Sequence, residues 1–302
     1  MKRKEIKEGT YGVVLTPFDI HGRLEELTLR KELRYCCGTN TSGLLLCGST
    51  SEFIYMTAEQ QKEVLRIGME EAGKSKCLIG GASAATERGV LEILNYMETL
   101  GYTYATVCPP YYYPQSPENI ISFYEAISGK APKGMKILMY NIPFCSPEIP
   151  LSCFERLLTI PNIIGMKDSS GNMLYLAKIM SLVEEKRPEF AVFTGQDATF
   201  LPSLTVGCSG CMSALAWMLD RADWKIWTAY QNNQINIAKE VQMKVMRMVR
   251  HLDEIAFPEN YRVLSEVIGV SAGEPQRNLY NMNAEFCTWW IAKAVKLLEE
   301  LK

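Results

Sequence analysis

Short apolar runs alternate with helix-like segments along most of this chain. Eight runs have the length of a strand, and several are apolar throughout, as strands buried on both faces are. Strands that alternate with helices indicate a parallel sheet, and eight such units favour a closed (β/α)8 TIM barrel over an open sheet. No Rossmann glycine fingerprint follows the first run, which also disfavours the open sheet. The predicted strands are 12–18, 43–48, 77–81, 104–108, 136–140, 163–167, 190–194 and 209–213.

Near residue 230 the strand-like runs end, and helical spacing continues toward the C-terminus. The predicted helices there cover 235–252, 261–268 and 283–301. We therefore divide the chain into a barrel domain, 1–230, and a C-terminal helical region, 231–302. Because these helices follow the last strand, we expect them to cover the barrel or form a subunit contact and not to hold the chemistry.

The overall composition excludes several classes of function. The 302 residues are 47% hydrophobic and 22% charged, with a net charge of −2, which is ordinary for a globular protein. We expect no nucleic-acid partner, because there is no excess of positive charge. No apolar run approaches ~20 residues, so no membrane span is expected. The basic first ten residues lack the apolar core of a signal peptide, and we expect them to form an exposed leader.

The ten cysteines are scattered, and several lie inside apolar runs. Free buried cysteine behaves as a small hydrophobe, so the pattern indicates reduced thiols and a cytoplasmic location. Cys208 and Cys211 have CxxC spacing, but no second pair accompanies them. We therefore expect no metal site.

The stretch 136–171, KILMYNIPFCSPEIPLSCFERLLTIPNIIGMKDSSG, is the most informative about chemistry. Two predicted strands in it end at Tyr140 and Lys167, with a predicted helix at 147–158 between them. Consecutive parallel strands point the same way, so these side chains should emerge together at the carboxyl end of the barrel. Burial lowers the pKa of a lysine, and a neutral amine can attack a carbonyl while a phenol carries protons. Alternatively, Lys167 caps its strand and pairs with Asp168.

Two loops at the same end of the barrel carry further candidate residues. GSTSE at 48–52 follows the second strand and could hold a small carboxylate on its N–H groups, or it could be a plain Ser/Thr turn. PPYYYP at 109–114 follows the fourth strand and is either part of the site or an aromatic interface patch.

Together, GSTSE, PPYYYP, YNIP at 140–143 and GMKDSSG at 165–171 resemble the motifs of the dihydrodipicolinate synthase/N-acetylneuraminate lyase family. TGQD at 194–197 and the 257–258 segment fit too, so the resemblance covers nearly the whole chain. It implies a class I aldolase that forms a Schiff base with pyruvate or a 2-keto acid and needs no cofactor. It also implies a small-molecule aldehyde partner and a homotetramer built as a dimer of dimers.

The resemblance also implies roles for individual residues. Lys167 would form the Schiff base, and Tyr140 would be the general acid/base. Ser49 and Tyr112 would complete a proton relay, with Tyr112 reaching into the active site of a neighbouring subunit. The backbone amides of Ser49 and Thr50 would hold the carboxylate of the keto acid. The remaining positions expected to bind substrate are Gly195, Asp197, Ser213 and Cys145.

Three positions depart from the family pattern. Cys145 stands where the synthase branch has an arginine that binds the carboxylate of the aldehyde substrate. Asp197 is followed by Ala198, where the sialic-acid lyase branch has a glutamate. Ser51 replaces a glycine and could alter the backbone of its loop.

These departures favour a lyase that acts on a hydroxylated 2-keto acid. A synthase-like condensation of pyruvate with an aldehyde stays open, as does a sugar-acid dehydratase that uses the same lysine. A third possibility is a sensor that kept the pocket and lost turnover. The four intact residues Lys167, Tyr140, Ser49 and Tyr112 argue against that sensor.

Overall fold

The computed structural model describes residues 4–275 and 283–301, and its centre is a closed barrel of parallel strands. Each strand pairs with the next along the chain, and the eighth closes the barrel against the first. The predicted (β/α)8 barrel with a C-terminal helical region is confirmed. The strands are β1 Gly9–Val13, β2 Gly43–Leu46, β3 Cys77–Gly81, β4 Tyr104–Val107, β5 Lys136–Asn141, β6 Ile163–Asp168, β7 Ala191–Thr194 and β8 Gly210–Ser213.

Helices follow the strands and surround the barrel. Thr57 caps the second helix in a capping box, in which its side chain and that of Gln60 each accept the other residue's backbone N–H. The helices that belong to the barrel are α1 Glu26–Cys37, α2 Ala58–Ala72, α3 Glu87–Leu100, α4 Pro117–Lys130, α5 Leu151–Leu157, α6 Met173–Lys186, α7 Phe200–Thr205, α8 Leu215–Met218 and α9 Asp220–Gln231.

Three further helices of the described chain form the C-terminal region: α10 Ile235–Leu252, α11 Glu259–Val267 and α12 Ala284–Glu300. Helix α10 has the predicted bounds. Its Gln242 side chain donates to the Asp197 carbonyl at 2.8 Å and accepts from the Leu201 amide at 2.8 Å, which fixes α10 to the segment after β7. None of the helices in the described residues is both long and apolar enough to cross a bilayer. The division of the chain at residue 230 stays a prediction.

The start of the chain differs from the predicted arrangement. The first strand covers residues 9–13 instead of 12–18, because the chain leaves the barrel after Val14, and Phe18 instead bridges to Leu24 and Glu274. The expected exposed leader is observed only in part: among the described residues before β1, Glu5, Lys7 and Glu8 are exposed, but Ile6 is not. Ile6 is buried with the side chains inside the barrel, and the Tyr104 hydroxyl donates to the Glu5 carbonyl. The segment before β1 therefore closes the amino end of the barrel.

The helix between β5 and β6 is shorter than the predicted 147–158. Residues Pro147 to Pro150 stay outside the helix because the Ile149 amide donates to the Asn141 side chain at 2.9 Å. The other amide atom of Asn141 donates to Asp168 at 2.7 Å. This buried asparagine therefore ties the carboxyl ends of β5 and β6 together beside the site.

Candidate active site

The parallel pairing of β5 and β6 sets Tyr140 directly opposite Lys167. The Lys167 ammonium nitrogen, Nζ, lies 4.4 Å from the centre of the Tyr140 ring. Both residues are at the carboxyl ends of their strands and are 2% exposed. The expected adjacency is thus observed, and it places an amine and a phenol at the end of the barrel where enzymes of this fold place their chemistry.

The Lys167 amine is unpaired and poorly hydrated. Within residues 4–275 and 283–301, Nζ makes no hydrogen bond and no ion pair. Asp168, the alternative partner, instead accepts from Asn141 at 2.7 Å and from the Ser170 hydroxyl at 2.9 Å. Burial lowers the pKa of Lys167 to about 7, although the Asp197 carboxylate opposes the shift. A large fraction of the lysine is therefore a neutral nucleophile near neutral pH.

Tyr140 is connected to two hydroxyl groups. Its phenol oxygen is 2.9 Å from the Ser49 hydroxyl, in a hydrogen bond that either group can donate. Burial raises the pKa of Tyr140 well above its usual value, while hydrogen bonds with Ser49 and Ser169 oppose the increase. The phenol therefore keeps its proton in the resting site and has two routes for exchanging it.

The loop after β2 presents Ser49 and Thr50 to the site. Neither backbone amide of these two residues donates a hydrogen bond within the part of the chain that the structure describes. Ser51 is not in the left-handed region, so serine in place of glycine does not strain this backbone. The Ser51 hydroxyl donates to the Val14 carbonyl and accepts from the Gly48 amide at 3.2 Å. Two free amides in a fixed loop are suited to a carboxylate.

Gly195 lies in close contact with the catalytic candidates. A Cβ at this position would be 2.0 Å from the Ser169 hydroxyl oxygen and 3.0 Å from Cε of Lys167. Only glycine lets the chain after β7 pass this close to both groups. Sequence reasoning missed Ser169, although a hydroxyl residue two positions after the lysine in KDSSG was a usable signal.

Asp197 and Ser213 form a buried pair behind the site. The Ser213 hydroxyl donates to the Asp197 carboxylate and accepts from the Ala216 amide at 3.1 Å. Burial raises the pKa of Asp197 to about 6, against the effects of Ser213 and Lys167. Ser213 lines the cavity around Lys167, whereas Asp197 does not. In this arrangement Asp197 acts on the site through Ser213 and through its charge.

A cavity of about 190 Å³ surrounds Lys167. Ser49, Thr50, Tyr140 and Gly195 line it, and Ser169 and Gln196 add polar atoms that the sequence did not single out. One wall comes from the C-terminal region, which covers the mouth of the barrel as expected and also lines the cavity. The connection from α10 to α11 turns back over the mouth of the barrel and contributes Asp253 and Phe257, and the first turn of α11 contributes Asn260 and Tyr261.

Tyr112 and Cys145 lie outside this cavity. Tyr112 is 87% exposed and has a positive φ of 84°. Cys145 is exposed and lines a smaller, adjoining cavity of about 100 Å³. Both cavities share Ser49 and Phe257. In a single chain, the relay expected for Tyr112 is therefore incomplete.

The CxxC cysteines are separate from the site, and both are buried. Among the described residues, no three His, Cys, Asp or Glu side chains come together as a metal site would require.

Known proteins resemble this chain over most of its length. Residues 7–285 match the model of the dihydrodipicolinate synthetase family. A protein of Thermofilum pendens named as an uncharacterized DapA-like lyase is 30% identical over 270 residues, which are 86% of this chain and 87% of the relative. The 4-hydroxy-tetrahydrodipicolinate synthase of Methanospirillum hungatei is 26% identical over 269 residues, covering 88% of this chain and 91% of that protein.

The fold is also that of solved relatives. The N-acetylneuraminate lyase of Mycoplasma synoviae superposes with a TM-score of 0.86 at 21% identity, covering 97% of this chain and 98% of the lyase. The matched region includes every strand of the barrel and both ends of the Tyr140–Lys167 stretch. The chain therefore belongs to the dihydrodipicolinate synthetase family, whose members are carbon–carbon lyases of the class I aldolase type.

Proposed function

We propose that this enzyme forms a Schiff base between Lys167 and the keto carbon of a 2-keto acid, and that it cleaves or forms the bond between pyruvate and an aldehyde. The natural substrate is a hydroxylated 2-keto acid. The observation that carries the proposal is the buried, unpaired Lys167 amine, 4.4 Å from the ring of a tyrosine that is hydrogen-bonded to Ser49.

The first step joins Lys167 to the substrate. The neutral amine attacks the keto carbon, and the resulting carbinolamine loses water to give a protonated imine. Tyr140 donates the proton that lets the oxygen leave as water and becomes a phenolate, which hydrogen bonds with Ser49 and Ser169 stabilise until the next step. The free amides of Ser49 and Thr50 hold the carboxylate, which orients the keto carbon toward Nζ.

Bond cleavage follows from the imine. One end of the bond that breaks is a substrate carbon that carries a hydroxyl group. This hydroxyl gives its proton to the Tyr140 phenolate and becomes the aldehyde carbonyl. The electron pair of the C–C bond moves toward the protonated imine, which leaves an enamine of pyruvate on Lys167. A proton added to the enamine carbon, followed by hydrolysis, releases pyruvate and frees the lysine. Condensation is the same sequence in reverse.

Two features support a hydroxylated, uncharged chain on the aldehyde side. Lys167 is the only cationic side chain among the described residues that line the cavity, so no guanidinium is present for a second carboxylate. The cavity of about 190 Å³ is also smaller than the roughly 300–1,000 Å³ of pockets for drug-sized ligands. A short 2-keto acid fits these properties better than sialic acid.

A second candidate is condensation of pyruvate with an amino-acid aldehyde. It is favoured by relatives that are named 4-hydroxy-tetrahydrodipicolinate synthase. Cys145 in the arginine position and the lack of another cation in the described lining argue against it. This candidate is therefore kept as an outcome of the substrate assay.

The Schiff base is tested by reduction with borohydride in the presence of pyruvate. We expect one covalent adduct on Lys167 by mass spectrometry, and none in Lys167→Arg. Lys76→Arg is the matched control, because the Lys76 ammonium already donates to the carbonyls of Thr39 and Thr41. An adduct on another lysine, or none in the unaltered enzyme, would contradict the proposal.

The substrate class is tested by measuring products from a panel of 2-keto-3-deoxy acids, sialic acid, and pyruvate with aspartate semialdehyde. Release of pyruvate and an aldehyde from a short 2-keto-3-deoxy acid supports the lyase. Preferred condensation with aspartate semialdehyde would support the second candidate. Loss of water without pyruvate release would identify a dehydratase.

A further inference from the structure

Tyr261 presents an unused phenol to the active-site cavity. It lies in the first turn of α11, and its ring packs edge-on against Phe257 at a centroid distance of 6.0 Å. The hydroxyl makes no hydrogen bond within residues 4–275 and 283–301, although Tyr261 lines the same cavity as Lys167. A phenol away from bulk water normally has a partner. The partner expected here is a polar group of the substrate.

Asp253 is a second side chain at this wall, exposed to solvent and without a partner among the described residues. It is the C-cap residue of α10 and lines the cavity. Its neighbour Glu254 pairs with Lys293 and His251, whereas the Asp253 carboxylate makes no hydrogen bond or ion pair in the described chain. The carbonyl end of a helix repels an anion, so α10 itself gains no stability from aspartate here. Its carboxylate is therefore free to bind a ligand in the cavity that it lines.

Tyr261 and Asp253 line the same cavity, and the charge of Asp253 acts on the Tyr261 hydroxyl. The pKa of the Tyr261 hydroxyl is raised by burial first, and then by the charges of Asp197 and Asp253. Both groups are carboxylates and carry negative charge. Among the described residues that line this cavity, Lys167 is the only cationic side chain. A neutral phenol beside a carboxylate can donate to one hydroxyl group and leave the carboxylate to accept from others. The same carboxylate repels a ligand that ends in a carboxylate.

We propose that Tyr261 and Asp253 form a distal subsite that binds hydroxyl groups on the aldehyde side of the substrate. This subsite selects a neutral polyhydroxylated chain over one that ends in a carboxylate. The inference rests on the proposed function, because the chain must extend from an imine on Lys167. The C-terminal region therefore determines specificity, while β5 and β6 supply the covalent chemistry.

The test compares aldehydes of equal length in condensation with pyruvate. Glyceraldehyde carries hydroxyl groups, and propanal does not. For Tyr261→Phe and for Asp253→Asn we expect kcat/KM with glyceraldehyde to fall roughly tenfold, as for the loss of one hydrogen bond, mainly through KM. Activity with propanal should change little. Asp253→Asn should also improve the relative use of succinic semialdehyde, which ends in a carboxylate.

Two controls separate this subsite from the chemistry. Tyr230→Phe removes a phenol that donates to the Leu204 carbonyl outside the cavity, and it should leave the aldehyde preference unchanged. Borohydride trapping of pyruvate should be the same in every variant except those of Lys167. Equal losses with glyceraldehyde and propanal would overturn the subsite while leaving the Schiff base intact.

Binding to Lys167→Ala gives a readout that does not depend on turnover. Titration calorimetry with 2-keto-3-deoxygluconate should show weaker binding when Asp253→Asn or Tyr261→Phe is added. Unchanged affinity in both double variants would overturn the subsite, even if the enzyme formed no adduct with pyruvate.

Discussion

Burial and one carboxylate act in opposite directions on Lys167. Removing the ammonium from water lowers the pKa of Lys167 to about 7, and the Asp197 carboxylate raises it. Asp197 is itself largely ionised at neutral pH, because burial raises its pKa only to about 6. The nucleophile is therefore adjusted by a residue that does not line the cavity. Below about pH 7 the amine takes up a proton and loses its nucleophilicity.

Asp197→Asn should shift the acidic limb of the pH–rate profile for Schiff-base formation to lower pH. Without the carboxylate, burial acts unopposed, so the pKa of Lys167 falls and the amine stays neutral in more acidic solution. Asparagine keeps an oxygen that can accept from Ser213. The measurement is the rate of pyruvate trapping by borohydride between roughly pH 5 and 9. Glu98→Gln, at an exposed position, should leave the limb in place. A limb that moves to higher pH would contradict this account.

Gly195→Ala should abolish activity while the barrel still folds. The added methyl group would displace Ser169 and the end of the Lys167 side chain, which are 2.0 and 3.0 Å from the built Cβ. Gly129→Ala is a matched control, because no atom outside its own helix backbone lies within 4 Å of its Cβ position and it is in the last turn of α4. It should be neutral, or stabilise by up to about 1 kcal/mol. Adduct yield and thermal unfolding of both variants check the prediction, and full adduct formation in Gly195→Ala would refute it.

Sequence reasoning identified the residues whose chemistry depends on position along one strand. Tyr140 and Lys167 end two apolar runs, and parallel pairing alone makes them neighbours. Tyr261, in the first turn of α11, reaches the cavity only because the connection from α10 follows a path over the barrel mouth. Such paths depend on contacts between residues far apart in the chain, which one sequence pattern does not encode.

At the scale of elements, α11 supports the loop that carries Ser49. The buried Arg262 guanidinium donates to Glu52 at 2.7 Å and to the carbonyls of Thr16 and Ala272. Glu52 has a positive φ of 58°, a conformation that needs support from its surroundings. Arg262 therefore links the C-terminal region, the segment after β1 and the loop after β2 that carries Ser49.

Arg262→Met should destabilise the protein by about 3–5 kcal/mol, because it leaves the Glu52 carboxylate buried without its guanidinium. Activity should fall as the loop loses its fixed position. Lys130→Met removes an exposed ion pair with Glu87 and should cost about 0–1 kcal/mol. Urea unfolding measures both. Adding Glu52→Gln to Arg262→Met should recover part of the loss, and a single variant no less stable than Lys130→Met would argue against the support role.

Element bounds were predictable where local chemistry determines them. Helix α10 has its predicted bounds, and the capping residues Thr57 and Thr86 mark the starts of α2 and α3. The sequence prediction places β1 too far along the chain, because the apolar Val-Val-Leu run after Gly12 continues beyond the residues that pair with β2 and β8. Gly9 and Thr10 belong to the strand only through that pairing. Long-range pairing, and not the local apolar pattern, determines where β1 begins.

At the scale of the whole molecule, the exposed end of the loop at 109–114, residues 112–114, favours a site that two copies share. Tyr112 has a strained positive φ, and its ring contacts only Tyr113 among the aromatic groups described, at 4.9 Å. Exposed Ile54, Tyr55 and Phe144 lie on other loops at the carboxyl end of the barrel. Strained backbone at an exposed aromatic residue is typical of a functional position. We infer that Tyr112 completes the Ser49–Tyr140 relay of a second copy.

Mixed dimers test this sharing directly. Tyr112→Phe and Lys167→Ala chains should each be inactive or strongly impaired when alone. In a two-fold dimer with trans contact, a hybrid has one site with an intact lysine and an intact partner tyrosine. Random exchange of equal amounts then gives hybrids in half of the dimers, so the mixture should recover about a quarter of the wild-type activity. If Tyr112 acted within its own chain, every site would lack one group. Activity that stays at the average of the two separate variants after dissociation and reassembly would therefore exclude sharing, since a relay confined to one subunit cannot be repaired by its neighbour.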